Sequence, residues 1–164
     1  MKLLLVIFLL IPIGAQSQSR AMAYLTEQHD DPFTMVFYYS TLKMWLPEDD
    51  EELKDIIHDI EKIKFITIPK EDEISAEEVT TIKGLLLDQG YEEMMTIKGP
   101  TRNLLLYIHD KKGLFLLGSE GSDTFAVDVQ GTIPVDKLLT LQSKIETLTA
   151  DGSIIDSIKN FRSN

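Results

Sequence analysis

The chain contains no cysteine. It can therefore form no disulfide and no thiolate metal site, and it offers neither a cysteine nucleophile nor a cysteine for lipid attachment. Histidine is scarce as well, because the sequence has 3 histidines and none lies at the H-x-x-x-H spacing of a zinc site. We therefore expect no metal and no other cofactor.

Glycine-rich and nucleophile motifs are also missing. No G-x-S-x-G elbow and no phosphate-binding glycine loop occurs, and the turn "GSEGSD" lacks the required spacing. With 27 acidic residues, a chance pair of carboxylates carries no argument for acid and base catalysis. The sequence predicts a protein that is not an enzyme.

The chain also has few basic residues. The chain has 16 basic residues against 27 acidic ones, which gives a formal net charge of -11. Such a surface repels phosphate backbones, so we expect no nucleic-acid partner. With 164 residues, 43% of them hydrophobic, the composition is that of one ordinary globular domain.

The N-terminus predicts a signal peptide at residues 1–17. One lysine precedes an apolar run at 3–13, which is about half of the roughly 20 residues needed to span a bilayer. Ala15 and Ser17 suit cleavage before Gln18, and the loss of the lysine takes the net charge from -11 to -12. We expect a periplasmic or secreted protein that is not a lipoprotein and has no stable membrane span after cleavage.

The remaining chain divides into three parts. Residues 18–32 are polar and patternless and are predicted to be a flexible lead-in in which His29 is solvated. Residues 33–148 form the single folded domain, and residues 149–164 are a tail with enough apolar side chains for a short amphipathic helix.

Helix and strand patterns alternate in the first half of that domain. Residues 34–39 predict a buried strand, and the spacing of Leu53, Ile56, Ile57 and Ile60 predicts one apolar helix face. A strand at 64–69 follows. A second helix begins at a capping box and ends at a glycine suited to a left-handed conformation. The residues of these caps are Ser75, Glu78 and Gly90.

Four strands are then predicted to pair as a meander, because turn residues separate them. They cover residues 91–98, 102–109, 113–118 and 124–133. In the last of them Asp128 and Gln130 are expected on a wet face. The order of elements predicts an α+β fold, with a mainly antiparallel sheet of about six strands and helices packed on one face.

Two surfaces are candidates for binding. Leu105, Tyr107, Phe115 and Leu117 give the meander a second apolar face, which is either an interaction surface or the site covered by a closing helix at 134–148. The acidic run at 48–52 predicts the first turn of a helix. Within that run, Glu48, Asp49 and Glu52 are also a candidate acidic rim for a basic partner.

The order of several segments resembles the family named domain of unknown function 4252. The segments are "MVFYYSTLKMWL", "IHDIEKIKFITI", "GYEEMMTIKG" and "FAVDVQGTIPVDKLLTL", within residues 33–141. The resemblance implies a small exported bacterial envelope protein, and it implies a regulatory or interaction role because relatives are often encoded near envelope-stress systems. It carries no catalytic or binding residues. Some relatives are lipoproteins, and this chain departs from them in lacking cysteine.

Two functions follow as hypotheses. The preferred one is a noncatalytic interaction or regulatory module with an unidentified envelope protein as partner. The alternative is a carrier of a lipid or another apolar ligand, or a weak hydrolase, with a pocket between sheet and helices. Tyr38, Tyr91 and His109 are the polar groups expected in that pocket.

Overall fold

The computed structural model describes residues 18–30, 32–45, 50–69, 72–100, 102–110, 112–120, 123–133 and 137. The predicted signal peptide, the tail and all but one residue of the predicted closing helix lie outside these ranges. The helices and strands in the described ranges are, in chain order, α1 (Arg20–Gln28), β1 (Phe33–Tyr38), α2 (Tyr39–Trp45), α3 (Glu51–Ile57), β2 (Ile60–Ile68), α4 (Ala76–Asp88), β3 (Glu92–Lys98), β4 (Arg102–His109), β5 (Gly113–Glu120) and β6 (Asp123–Gly131).

One antiparallel sheet of six strands organises the fold, in the order β1-β2-β6-β5-β4-β3. The meander from β3 to β6 is confirmed, and β6 then pairs with β2 in the centre of the sheet. The predicted α+β class and the number of strands are confirmed. Pairing of β6 with β2 places β1 and β3 at the two ends of the sheet.

The first face of the sheet lies under α1 and α4. Alternate residues of the strands point to this face, as the period of two in a pleated strand requires. Their apolar side chains form one cluster with those of the two helices. The buried members are Ala21, Met22, Leu25, Ile66, Ile68, Ile82, Leu86, Tyr91, Leu105, Tyr107, Phe115, Leu117 and Ala126.

The second face carries another apolar cluster, to which α3 contributes Leu53 and Ile57 and α2 contributes Leu42. Helices therefore pack on both faces, and the expected placement on one face is corrected. The reason lies in runs such as Leu114 and Phe115, where neighbouring apolar residues point to opposite faces and both faces need cover.

Two helix starts follow the sequence. Asp50 caps α3, since its carboxylate accepts the Leu53 backbone N–H at 3.0 Å, so the described part of the acidic run, residues 50–52, does begin a helix. The predicted capping box of α4 is present in full, with Ser75 Oγ accepting the Glu78 N–H at 3.2 Å. Gly90 ends that helix with φ of 84°.

The helix α3 is shorter than expected. Ile60 was predicted on its apolar face, but the helix ends at Ile57 and Ile60 begins β2. Pairing explains the difference, because Ile60 lies opposite Gly131 of the central strand β6 and is only 3% exposed there. Contact with the sheet thus overrides the helical spacing of the isoleucines.

The predicted flexible lead-in is wrong for most of its length, because it contains α1. Ser19 caps this helix by accepting the Met22 N–H at 3.2 Å, and Met22 and Leu25 are fully buried. His29 is also buried, with its Nε2 atom 3.3 Å from Glu78 Oε1, and is not solvated as expected. The first described segment is therefore part of the core.

Candidate functional site

The four residues predicted as an interaction surface lie in the core. Leu105, Tyr107, Phe115 and Leu117 are 8%, 1%, 0% and 6% exposed. They point to the first face, where α4 and α1 cover them. The prediction of a surface is wrong, because the sequence did not reveal that two helices earlier in the chain close this face.

The other predicted groups do not converge on one site. Tyr91 and His109 contact each other edge to face, with ring centroids 5.5 Å apart, while Tyr38 on the end strand β1 is 57% exposed. In the candidate acidic rim, Glu48 and Asp49 lie outside the described residues. Glu52 is exposed in the first turn of α3, as the helix-start interpretation requires.

The strand β3 instead presents exposed apolar residues along one terminal edge of the sheet. All seven of its residues are exposed, and Met94, Met95 and Ile97 are 44%, 39% and 39% exposed. Within the described part of the chain β3 pairs with β4 alone, so one row of its backbone groups faces away from the sheet. Such an edge is a template for another strand.

The register aligns the apolar side chains of this edge. Met95 lies opposite Leu106 and Ile97 opposite Leu104, so all four side chains point to the second face. The helices on that face pack near the other end of the sheet, where α2 contacts β1 and β2. We call Met95, Ile97, Leu104 and Leu106 the edge patch. In the sequence, part of the edge patch lies in the "MMTI" run. That run indicates an exposed surface only because β3 is a terminal strand.

A network of hydrogen bonds holds β3 on the first face of the sheet. Glu93 accepts hydrogen bonds from the hydroxyls of Tyr107 and Thr96, both at 2.6 Å, and from Lys83 at 3.2 Å. The hydrogen bond from Thr96, then those from Tyr107 and Lys83, lower the pKa of Glu93 to about 2. The edge strand is therefore held in place by β4 and α4, while its outer row of backbone groups stays open.

A cavity of about 470 Å³ lies between the first half of α4 and the strand ends on the first face. Ile74, Val79 and Leu117 give it apolar walls, and its charged lining consists of Lys83, Lys98 and Glu73. This volume is within the range of roughly 300 to 1,000 Å³ that holds small ligands. None of the three polar residues predicted for a pocket lines it.

A comparison with known families gives a match over nearly all of the sheet and helices α2 to α4. A family model described as "Domain of unknown function (DUF4252)" matches residues 35–141, which is more than half of the chain. The chain belongs to the DUF4252 family. No curated protein and no solved structure matches this DUF4252 chain. The matched range begins inside β1, so α1 packs on the domain from outside the matched range.

Beneath α1, the DUF4252 chain buries a carboxylate. Asp128 on β6 is 0% exposed, and its Oδ2 atom accepts the Ser19 backbone N–H at 2.8 Å. Burial raises the pKa of Asp128, and the Ser19 hydrogen bond opposes that shift. Burial, followed by the nearby Asp128 charge, also raises the pKa of Tyr91 to about 12. Asp128 was expected on a wet face, and that prediction is wrong.

Lys64 accompanies this carboxylate without pairing with it directly. It lies opposite Asp128 in the β2–β6 register, yet its ammonium donates to Thr26 Oγ1 at 3.0 Å and to Gln18 Oε1 at 3.3 Å. Gln130, expected on the wet face as well, is 4% exposed. Asp128 of β6 and Lys64 of β2 therefore both hold the segment of α1 against the sheet.

Across the described ranges, no group of three or more histidines and carboxylates could hold a metal ion. In the same part of the chain, no helix is long and apolar enough to cross a membrane.

Proposed function

We propose that this protein is an exported, noncatalytic interaction module of the bacterial cell envelope, and that β3 binds an extended segment of another envelope protein. The observation that carries the proposal is the open edge of β3, where seven exposed residues include three large apolar ones. Natural sheets usually protect such an edge, so its exposure favours a binding role.

Binding would add a seventh strand to the sheet. Main-chain hydrogen bonds along β3 would supply affinity, and alternate side chains would supply specificity. Met95 and Ile97 point to the second face, so the partner should carry apolar residues at every second position toward that face. The net charge of -11 favours a partner segment that is neutral or basic.

The place of action and the regulatory role rest on sequence. The charged start, the short apolar run and the small residues before Gln18 support export to the periplasm or beyond. The absence of cysteine supports a form without a lipid anchor. A regulatory role follows from the family resemblance alone, so partner identification in the envelope is the step that tests it.

Site-specific photo-crosslinking tests the edge. A photoreactive residue replaces Met95 on β3, and matched variants carry it at Val36 on the opposite edge strand and at Met44 on α2, which are 41% and 82% exposed. We expect one discrete adduct from Met95 and none from the other two positions. Equal adducts at all three positions, or none at Met95, would contradict the proposal.

Binding by strand addition has a second consequence. With the crosslinked partner purified, amide hydrogen exchange should slow in β3 and not in β1. Ile97→Lys should weaken binding at least about tenfold, roughly 1.4 kcal/mol, and leave Tm unchanged because Ile97 is 39% exposed. Val36→Lys is the matched control, and an equal loss of binding in it would argue against β3.

A second function is favoured by the cavity beneath α4. Its apolar walls and the two lysines of its lining suit an amphiphile with a negatively charged head, such as a fatty acid. A thermal-shift screen with fatty acids, neutral lipids and sugars should then raise Tm for the fatty acids alone. Val79→Trp fills the cavity and should abolish that rise, while Val36→Trp on the opposite edge strand should not.

A further inference from the structure

The start of α1 lies over the centre of the sheet, on a buried carboxylate. Ser19 is 2% exposed, and its backbone nitrogen is 2.8 Å from Asp128 Oδ2. The side chain of Gln18, one residue earlier, accepts from Lys64 at 3.3 Å. Ser19 is therefore part of the core and lies directly beside Asp128, and the half-buried Gln18 precedes it.

Ser19 and the charges of Lys62 and Lys64 favour the ionised form of this carboxylate, but one of its oxygens lacks a close donor. Asp128 Oδ2 has the Ser19 N–H, but Oδ1 is buried and has no hydrogen-bond partner in the structure as described. Lys64, the cation opposite it on β2, directs its ammonium to Thr26 and Gln18. A buried carboxylate oxygen without a donor is unfavourable, so a donor with positive charge is the group that would suit this position.

The predicted export signal would create such a donor. Cleavage before Gln18 hydrolyses the bond between the Ser17 carbonyl carbon and the Gln18 nitrogen. Water supplies the hydroxyl group of the released carboxylate, and the nitrogen leaves as an ammonium. Successive backbone nitrogens are about 3 to 3.7 Å apart, so this ammonium would form next to the nitrogen that already binds Asp128.

We propose that the α-ammonium group formed at Gln18 by signal-peptide removal binds Asp128 and completes the seating of α1 on the sheet. The inference rests on the export part of the proposed function and not on the binding role of β3. In the precursor the same nitrogen is a neutral amide and carries no charge. The mature chain is the form in which the Asp128 charge is paired.

The test compares chains with defined starts, released from a fusion by a site-specific protease. One begins at Gln18, a second carries Gly-Ser before Gln18, and each is also made with Asp128→Asn. Intact mass is measured first, because cyclisation of Gln18 would remove the ammonium. We expect the extension to lower Tm by roughly 3 to 6 °C with Asp128 present and to have no effect in the Asn variants.

Reactivity of the α-amino group gives an independent readout. Acylation of Gln18 at neutral pH should be at least about tenfold slower with Asp128 than with Asn, because the paired ammonium reacts only after local opening. Labelling of exposed lysines is the internal control. If the Asn variants do not fold, the two chains that retain Asp128, one with and one without the Gly-Ser extension, still give the comparison in Tm.

The proposal would be overturned if the chains with and without the Gly-Ser extension had equal Tm values and if Gln18 were acylated at equal rates with Asp128 and with Asn. A mature start other than Gln18, found by mass spectrometry of the exported protein, would overturn the maturation step. Failure of the β3 proposal is separable, because Ile97→Lys should weaken strand addition and leave the difference in Tm between the two starts unchanged.

Discussion

Tyr107 and Glu93 lie opposite each other on β4 and β3, and the Tyr107 hydroxyl donates to the Glu93 carboxylate at 2.6 Å. Tyr107 is 1% exposed, whereas the Glu93 side chain is 41% exposed. The hydrogen bond therefore joins the edge strand to the core. It explains how β3 can have an open outer row of backbone N–H and C=O groups and still hold a fixed position in the sheet.

Glu93→Gln should change the dependence of stability on acid. The pKa of Glu93 is about 2 in the folded protein, below its ordinary value of 4.5. A lowered pKa means that Glu93 contributes stability above pH 4.5 and that this contribution is lost as the pH falls toward 2. Thermal melts between pH 7 and pH 2 should show a flatter decline for the variant. Glu92→Gln is the control, and parallel curves for wild type and Glu93→Gln would contradict the network.

Phe115→Ala should destabilise the protein strongly, because this side chain is fully buried between the sheet and the helices. Removal of a buried phenylalanine costs about 3 to 5 kcal/mol. Met95→Ala, at a position 39% exposed, should change the free energy of unfolding by less than about 0.5 kcal/mol. Denaturant unfolding measures both, and a small loss for Phe115→Ala would restore the surface interpretation of its face.

Local signals in the sequence predicted the local structure well. The Ser75 capping box, the Gly90 helix end and the antiparallel pairing of consecutive strands each depend on residues that are near in the chain, and the structure contains all of them. The α+β class followed from the same signals, since the order of elements limits how a sheet can be covered.

Contacts between distant segments escaped prediction. Asp128 alternates with Val127 and Val129, which is the pattern of a half-wet strand, yet Ser19 covers it from a position 109 residues earlier. The edge patch depends on strand order in the same way, because β3 is a terminal strand only if β2 pairs with β6 and not with β3. Neither the contact of Ser19 with Asp128 nor the strand order can be predicted from the local spacing of apolar residues.

Ser75→Ala should lower the free energy of unfolding by about 1 kcal/mol. The variant loses the Ser75 hydroxyl that accepts the Glu78 N–H, which leaves one donor of the first turn of α4 without its partner. Thr81→Ala in the same helix is the matched control, since its hydroxyl caps no helix end and alanine favours helix. Urea unfolding distinguishes them, and an equal effect of the two changes would argue against the cap.

Gly131→Ala should destabilise the junction between β6 and β2. Gly131 has φ of 123°, a conformation that alanine rarely adopts, and an added Cβ would collide with the Asp59 carbonyl oxygen and approach Ile60 Cα to 2.8 Å. Backbone strain of this kind costs about 1 to 3 kcal/mol, and the collision adds to it.

Gly84→Ala is the opposite case within the same protein. Gly84 lies inside α4, and nothing is within 4 Å of the position that a Cβ would take. Alanine should therefore stabilise the helix by about 1 kcal/mol, because glycine is the poorer helix former. Denaturant unfolding of the two variants should give changes of opposite sign. A loss of stability in Gly84→Ala would mean that α4 packs more closely at this position than its open surroundings indicate.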